Sequence, residues 1–245
     1  MLIKLDNPSL LSKAIEIIAE LVTEVRIKVN ELGFSITAID PANVAMVGFR
    51  LPKNAFSQFE ADNEVLGVNL EDLKRILRRC AGGGSLIMEK KENLLKIQIQ
   101  DRIRRSFSLN LLDIEGEEMD FISKIARMDF VSHIEMGSAD WIDSIEDCSV
   151  VSDACSFAIE SGKFIIEAKG LNSAKTEFSA DEAKINGENC RAKYSLEYLQ
   201  KFLKGAKLCD RTVLDFADDH PLKLEFRTEL FSLSFVLAPR VENED

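Results

Sequence analysis

The sequence has few of the residue patterns that mark catalytic or metal-binding proteins. Its five cysteines are scattered and form no C-x-x-C pair, so neither a disulfide framework nor a zinc site is predicted. Of its two histidines, His133 alternates with apolar residues, as in a strand, and His220 precedes a proline, as in a turn. The glycine run Gly82-Gly83-Gly84 is not followed by Gly-Lys-Ser/Thr, so it is not a phosphate loop. We therefore expect no catalytic site, no metal and no cofactor.

Long apolar runs and an excess of positive charge are also missing. No uninterrupted apolar segment is long enough to span a membrane. Met1–Asp6 alternates charged and apolar side chains, unlike a signal peptide. Lys and Arg number 31 against 42 Asp and Glu, a net charge of −11. This balance argues against indiscriminate binding to nucleic acid or to anionic membranes. We expect a soluble, intracellular protein in which any nucleic-acid contact comes from a local basic patch.

An acidic stretch separates two similar halves of the chain. Residues 113–130 follow neither a strand nor a helix pattern. Five of the first eight residues are acids, namely Asp113, Glu115, Glu117, Glu118 and Asp120. We interpret this stretch as a tether, called the tether below. It divides the 245 residues into a first domain, 1–112, the tether, 113–130, and a second domain, 131–245.

The two halves repeat each other at two nearly equal offsets. The aligned apolar pairs are Leu70/Leu196, Leu73/Leu199 and Leu77/Leu203 at an offset of 126, and Leu11/Trp141, Ile15/Ile145 and Phe34/Phe164 at an offset of 130. Self-similarity of this kind indicates a duplicated structural unit. Each half shows two helical patterns and about eight strand-like ones. The predicted class is therefore α+β, with two helices packed on antiparallel sheet in each of two similar domains.

Basic residues recur together with the apolar ones. Arg75 and Arg78 align with Lys201 and Lys204 at the offset of 126. Cations three residues apart along a helix suit backbone phosphates, which need charge spaced along a surface, rather than the reading of base edges. A charged helix face that is merely solvated explains the pattern equally well at this point.

Four stretches, in order along nearly the whole chain, resemble the sliding clamps of the proliferating cell nuclear antigen (PCNA) family. They are Ala38–Val47, Gly67–Gly82, the tether and Leu237–Asp245. The length of the chain is that of the two-domain sliding clamps of archaea and eukaryotes. The resemblance implies a homotrimeric ring that encircles duplex DNA without sequence preference, with helices lining the hole and sheets outside. It implies a polymerase processivity factor and not an enzyme.

The resemblance also implies which residues meet in the ring and which face DNA. Edge strands of neighbouring subunits would pair, here about Arg104–Leu112 and Ser173–Ala180. The residues that would face the duplex are Lys13, Lys74, Arg75, Arg78, Arg79, Lys201, Lys204 and Lys207. The third helix departs from the family pattern because its charged residues are all acids, namely Asp140, Asp143, Glu146 and Asp147. We assign no DNA contact to it.

In the family, the connector between the domains borders a hydrophobic pocket into which partner proteins insert an apolar-aromatic motif, the PIP box. The positions carried over are Ile39, Val44, Met46, Met119, Phe121, Pro221, Val236, Leu237, Ala238, Pro239 and Val241. For Val44, Met46 and Leu237, ordinary core packing is the alternative. The implied partners are DNA polymerase, the clamp loader, flap endonuclease and ligase, but no membrane. The implied location is the cytoplasm, at the nucleoid, in an archaeon, or the nucleus in a eukaryote.

Two other functions stay open on the sequence. The same fold would serve a subunit of a heterotrimeric or checkpoint-type clamp. An uncharacterised enzyme is the rival class, and its best case would combine His133 or His220 with a cysteine or an acid.

Overall fold

The computed structural model describes residues 1–80, 83–115 and 120–240, and the chain divides into two compact units. Unit 1 consists of Met1–Pro41, Val47–Phe121 and Glu229–Leu233. Unit 2 consists of Ala42–Met46, Ile122–Thr228 and the residues from Ser234 on. Each unit thus takes in short segments from the other half of the sequence, and the domain boundaries proposed above stay a prediction.

The first half forms two groups of strands and two longer helices. In chain order the described elements are β1 (Leu2–Leu5), α1 (Ser9–Ile18), β2 (Glu24–Asn30), β3 (Gly33–Ile39), β4 (Ala45–Pro52), a 3₁₀ turn (Lys53–Ala55), β5 (Gln58–Glu60), β6 (Asn63–Asn69), α2 (Leu70–Leu77), a second 3₁₀ turn (Arg78–Cys80), β7 (Ser85–Lys91), β8 (Leu94–Gln100) and β9 (Arg104–Asn110). Hydrogen-bonded neighbours follow the orders β5-β1-β7-β8-β9 and β4-β3-β2-β6.

The second half has the same topology. Its described elements are α3 (Phe121–Ile125) in the tether, β10 (Ser132–Gly137), α4 (Ser138–Val151), β11 (Ala154–Glu160), β12 (Lys163–Lys169), β13 (Ser173–Phe178), β14 (Ala183–Gly187), β15 (Cys190–Ser195), α5 (Leu196–Ala206), β16 (Arg211–Phe216), β17 (Leu222–Arg227) and β18 (Ser232–Leu237). The strand orders β14-β10-β16-β17-β18 and β13-β12-β11-β15 are those of the first half with nine added to each label. The predicted α+β duplication is confirmed.

Alternation along the strands explains why each sheet has a core face. In β2, Val25, Ile27 and Val29 are buried, whereas Arg26 and Lys28 between them are half-buried. A period of two places these sets on opposite faces of a pleated sheet. Helix α1 packs beside α2, and α4 packs beside α5. Each unit therefore has a pair of helices and a core built from the inner faces of its strands.

Three details of the sequence-based assignment were wrong. The pattern predicts no helix in the tether, but α3 forms one turn, closed by the Ala126 N–H bond to the Ile122 carbonyl at 2.9 Å. A five-residue helix is too short to show a 3.6-residue period. The pattern also misses the short strands β5, β14 and β15. Finally, the sequence Asn7-Pro8-Ser9 predicts a capping asparagine followed by proline at the first helical position. In the structure α1 begins one residue later, at Ser9, and the Ser9 N–H bonds to Asn7 Oδ1 at 3.1 Å.

No helix in the described ranges is long and apolar enough to cross a membrane.

The caps of α2 and α5 provide a matched test of the local structure. Asn69 Oδ1 accepts the N–H groups of Glu71 and Asp72 at 3.0 and 3.3 Å, whereas Ser195, at the same position of α5, makes no capping bond with its side chain. We expect Asn69→Ala to lower the free energy of unfolding by about 1 kcal/mol, and Ser195→Ala to change it by much less. Urea denaturation measures both, and equal losses would contradict the assignment of the Asn69 cap.

Candidate functional site

In unit 1, Arg75 of α2 lies opposite the buried stripe of that helix, whereas Lys74 lies beside the stripe. Leu70, Leu73 and Leu77 are almost fully buried, so the remaining faces of the helix point away from the core. Arg75 on α2 is exposed, as are Arg78 and Arg79 in the 3₁₀ turn that continues it, while Lys74 is half-buried. Lys13 is exposed on the neighbouring helix α1. Four of the five cations predicted to face DNA in unit 1 are therefore exposed on α1, on α2 or in the turn that follows α2, and the fifth, Lys74, is half-buried.

Carboxylates lie beside several of these cations. Arg75 lies 3.6 Å from Asp72, Arg78 pairs with Glu16 of α1, and Lys74 pairs with Glu71. The hydrogen bond from Lys74 lowers the pKa of the Glu71 carboxyl. The side chains of Arg75 and Arg78 nevertheless remain 74% and 57% exposed. Because exposed ion pairs are weak in water, these arginines can exchange a carboxylate for a phosphate at little cost.

In unit 2, α5 repeats this arrangement. Leu196, Leu199 and Leu203 form its buried stripe, and Lys204 is exposed, as is Lys207 just after the helix. Lys201 is half-buried. Its Nζ lies 3.1 Å from the Glu197 carboxylate and 4.8 Å from the centre of the Tyr198 ring. The ring and the aliphatic part of the lysine hold the charge close to the helix surface.

Helix α4 lies beside α5 and carries no base. Its four acids, Asp140, Asp143, Glu146 and Asp147, are all exposed, while Trp141 and Ile145 are buried. Asp143 stands at the position that the offset of 130 aligns with Lys13. The helix pairs of the two units therefore differ in charge, although their buried residues correspond.

The apolar positions that belong to unit 2 are held together by backbone hydrogen bonds. The Ala238 N–H bonds to the Val44 carbonyl at 2.9 Å, and the Arg240 N–H bonds to the Lys193 carbonyl at 2.7 Å. Val44, Ala238 and Pro239 are half-buried. A partner could therefore reach these three side chains.

Other members of the predicted set are less accessible. Met46 and Val236 are each 6% exposed and Leu237 is 0% exposed, so these three belong to the core of unit 2. Pro221 is half-buried and follows His220, whose carbonyl accepts the Tyr194 hydroxyl at 2.8 Å. The turn that carries Pro221 is thereby fixed to the core.

Two residues outside the predicted set hold the segment after β18 in place. The Arg240 guanidinium lies 2.8 Å from the Asp153 carboxylate, and the hydrogen bond from Arg240 lowers the pKa of that carboxyl. Together with the bond from Arg240 N–H to Lys193, this pair positions Ala238 and Pro239. No local sequence signal connects Asp153 with a residue so far along the chain.

In unit 1, Ile39 is half-buried at the end of β3. Phe121 is also half-buried, and its ring lies against Gly48 of β4. Met119 and Val241 lie outside the described residues.

The histidines do not form a recognisable catalytic arrangement. His133 Nδ1 lies 2.7 Å from Asp215 Oδ1, and Asp215 Oδ2 lies 2.9 Å from Lys223 Nζ. The carboxylate beside the histidine is thus already neutralised by a lysine. Burial raises the pKa of the Cys80 and Cys190 thiols, which disfavours the nucleophilic thiolate. Within the described ranges, no group of three or more His, Cys, Asp or Glu side chains could hold a metal ion.

Comparison with known proteins identifies similar sequences along most of the chain. The family model for the proliferating cell nuclear antigen N-terminal domain matches residues 1–119, and that for its C-terminal domain matches residues 124–241. The chain is 31% identical to the DNA polymerase sliding clamp of Methanococcus maripaludis, over 94% of this chain and 95% of the relative. It is 33% identical to that of Nanoarchaeum equitans, with the same coverage.

Solved structures show the same fold at lower sequence identity. The crystal structure of proliferating cellular nuclear antigen from Entamoeba histolytica aligns with a TM-score of 0.88 at 23% identity, covering 98% of both chains. A PCNA2–PCNA3 complex from Sulfolobus tokodaii aligns with a TM-score of 0.87 at 23% identity, covering 99% of this chain and 100% of that chain.

Proposed function

This chain belongs to the proliferating cell nuclear antigen family, and we propose that it is a DNA sliding clamp, a processivity factor that encircles duplex DNA and recruits replication and repair proteins. Its role is to hold other proteins on DNA and not to catalyse a reaction. The cations would contact backbone phosphates, which every sequence presents, so binding would be independent of base sequence.

The observation that carries this proposal is the repeated basic face of α2 and α5. In both helices leucines at equivalent positions are buried, and Arg75 and Arg78 correspond to Lys201 and Lys204. A protein of net charge −11 is poorly suited to tight binding of DNA on an open surface. A ring removes that requirement, because enclosure retains the duplex even when each phosphate contact is weak.

Two sheet ends support assembly into a ring. Strand β9 is the last strand of its sheet, and β13 is the last of another. Both fall within the edges expected from the family resemblance, Arg104–Leu112 and Ser173–Ala180. An uncovered edge exposes backbone N–H and C=O groups that favour pairing with another chain. Pairing of β9 with β13 of the next subunit would use a heterologous interface, which generates a ring when the rotation between subunits closes.

We propose a homotrimer, because one chain supplies both edges. A ring of different but related subunits is the second candidate. It is supported by the unequal charge of the corresponding helices α1 and α4. The molecular mass of the purified protein in solution distinguishes them. A trimer mass supports the homotrimer, whereas a monomer that assembles only with a related chain would exclude it.

The proposed DNA contacts can be tested by charge removal. We expect the quadruple variant Arg75→Ala, Arg78→Ala, Lys201→Ala and Lys204→Ala to lose retention on circular DNA and polymerase processivity while remaining a trimer. Each lost phosphate contact should lower the slope of log affinity against log salt by about one. Retention and processivity at several salt concentrations measure both effects.

A matched control removes the same charge elsewhere. Lys53, Lys91, Lys184 and Arg227 are exposed and lie outside the proposed DNA-facing set, so their replacement by Ala should leave the salt slope unchanged. Equal losses in both quadruple variants would mean that net charge, and not the face of α2 and α5, governs retention.

We further propose that DNA polymerase, the clamp loader, flap endonuclease and ligase bind through PIP-box motifs at an apolar surface that includes Val44, Pro221, Ala238 and Pro239. These side chains are half-buried, so they offer apolar area without being closed into the core. An aromatic side chain of the partner would provide the anchor that such pockets favour.

The partner surface can be tested with a PIP-box peptide. We expect Val44→Asp and Ala238→Asp each to weaken peptide binding by at least about 2 kcal/mol, roughly thirtyfold in Kd, because a charge would be desolvated in the contact. Isothermal titration measures the change. Leu32→Asp, at a side chain that is 60% exposed, is the control and should bind normally. Undiminished affinity in both test variants would exclude this surface.

A further inference from the structure

The ring of Phe121 lies directly on the backbone of Gly48. A methyl group at position 48 would come within 2.7 to 2.9 Å of the Phe121 ring carbons, which is closer than carbon atoms approach in proteins. Gly48 lies in β4 between Val47 and Phe49, which are 1% and 2% exposed. Because side chains alternate along a strand, position 48 faces away from that core, and the absence of a side chain there leaves room for the aromatic ring.

A second glycine, Gly67, lies against the chain at Leu112, just before the tether begins. The Leu112 N–H bonds to the Gly67 carbonyl at 2.8 Å. A methyl group at position 67 would lie 2.1 Å from the Leu112 carbonyl oxygen and 3.1 Å from Ile114 Cγ1. Backbone atoms block the space here, so even alanine would require the chain to move.

These two glycines lie in the first and last strands of the group β4-β3-β2-β6. Gly67 lies in β6 and Gly48 in β4, with β2 and β3 between them. Three strand spacings amount to about 14 Å, and the nine residue steps from Leu112 to Phe121 can reach about 30 Å. The chain between the two contacts is therefore long enough to cross this group of strands.

We propose that Gly48 and Gly67 are positioning residues for the described ends of the tether, and that they hold Phe121 against β4 and Leu112 against β6 before a partner arrives. Phe121 thereby acts through its contact with Gly48 and not by touching the partner, which differs from the role the family resemblance implies for it. The effect on partner binding rests on the proposed function, whereas the attachment of the tether at these two glycines does not. Since Phe121 is also the first residue of α3, its contact fixes where that helix begins.

The proposal predicts a specific non-additivity between positions 48 and 121. Gly48→Ala introduces a clash with the ring, and Phe121→Ala removes the contact, so each should release the tether. In the double variant the clash cannot occur, and Gly48→Ala should then have no further effect. Because residues in contact are energetically coupled, a change of about tenfold is expected for each single variant.

Two readouts separate this proposal from the proposed function. Trypsin cleavage after Lys124 and Arg127, both exposed, reports release of the tether without any partner. A PIP-box peptide titration reports the consequence for binding. We expect each single variant to be cleaved about tenfold faster and to bind the peptide about tenfold more weakly, with the double variant equal to Phe121→Ala alone.

The variants Leu32→Ala and Gly67→Ala complete the experiment. Leu32→Ala removes an exposed leucine elsewhere and should leave both readouts at their wild-type values, whereas Gly67→Ala should accelerate cleavage. If Gly48→Ala fails to fold, as judged by urea denaturation, Phe121→Ala still decides, because unchanged cleavage there would overturn the proposal. Strictly additive effects at positions 48 and 121 would also overturn it. A wild-type protein that does not bind the peptide, yet shows the expected cleavage pattern, would contradict the proposed partner site and leave the tether attachment supported.

Discussion

The burial of one leucine stripe on α2 and one on α5 is the constraint on which the remaining surface depends. Leu70, Leu73 and Leu77, like their counterparts on α5, are almost completely removed from solvent, and burial of leucines of this kind stabilises a fold by roughly 1.5 to 3 kcal/mol for each side chain. A helix whose apolar stripe is fixed against a sheet has no freedom to rotate. The direction of each remaining residue on that helix is thereby set, which is why Arg75 on α2 and Lys204 on α5 are exposed to solvent.

This constraint also explains how an acidic protein can present a basic surface. The net charge describes the whole chain, whereas phosphate contact depends on the few side chains that one face carries. Exposed pairs such as Arg75 with Asp72, 3.6 Å apart, neutralise those cations only weakly in water. The acids of α4 show that the duplication preserves the buried residues more strictly than the charges, since Trp141 and Ile145 remain core residues at positions aligned with Leu11 and Ile15, while Asp143 stands opposite Lys13 in the alignment.

The proposed partner surface depends on a different kind of contact. Its unit 2 members are brought together by backbone hydrogen bonds between distant segments, such as Ala238 with Val44, and by the Arg240–Asp153 pair. In unit 1, Gly48 and Gly67 act through the absence of a side chain, which allows Phe121 and Leu112 to approach the strands closely. Within each unit, loops and segment ends are thus held by a small number of anchoring contacts.

The duplication, the α+β class and most of the helices and strands follow from the amino-acid sequence alone. Apolar residues that recur at periods of two and 3.6 are a local feature, and any stable fold of this chain must bury them. The sequence also indicated which faces of α2 and α5 carry cations. Contacts between distant segments were needed to learn that Met46, Val236 and Leu237 belong to the core while Val44 and Ala238 remain accessible. The same holds for the short helix that begins at Phe121 and for the contact of its ring with Gly48. These properties depend on which distant segments meet, and no local period encodes that. A glycine in a strand looks the same in a sequence whether the space above it is filled by solvent or by an aromatic ring.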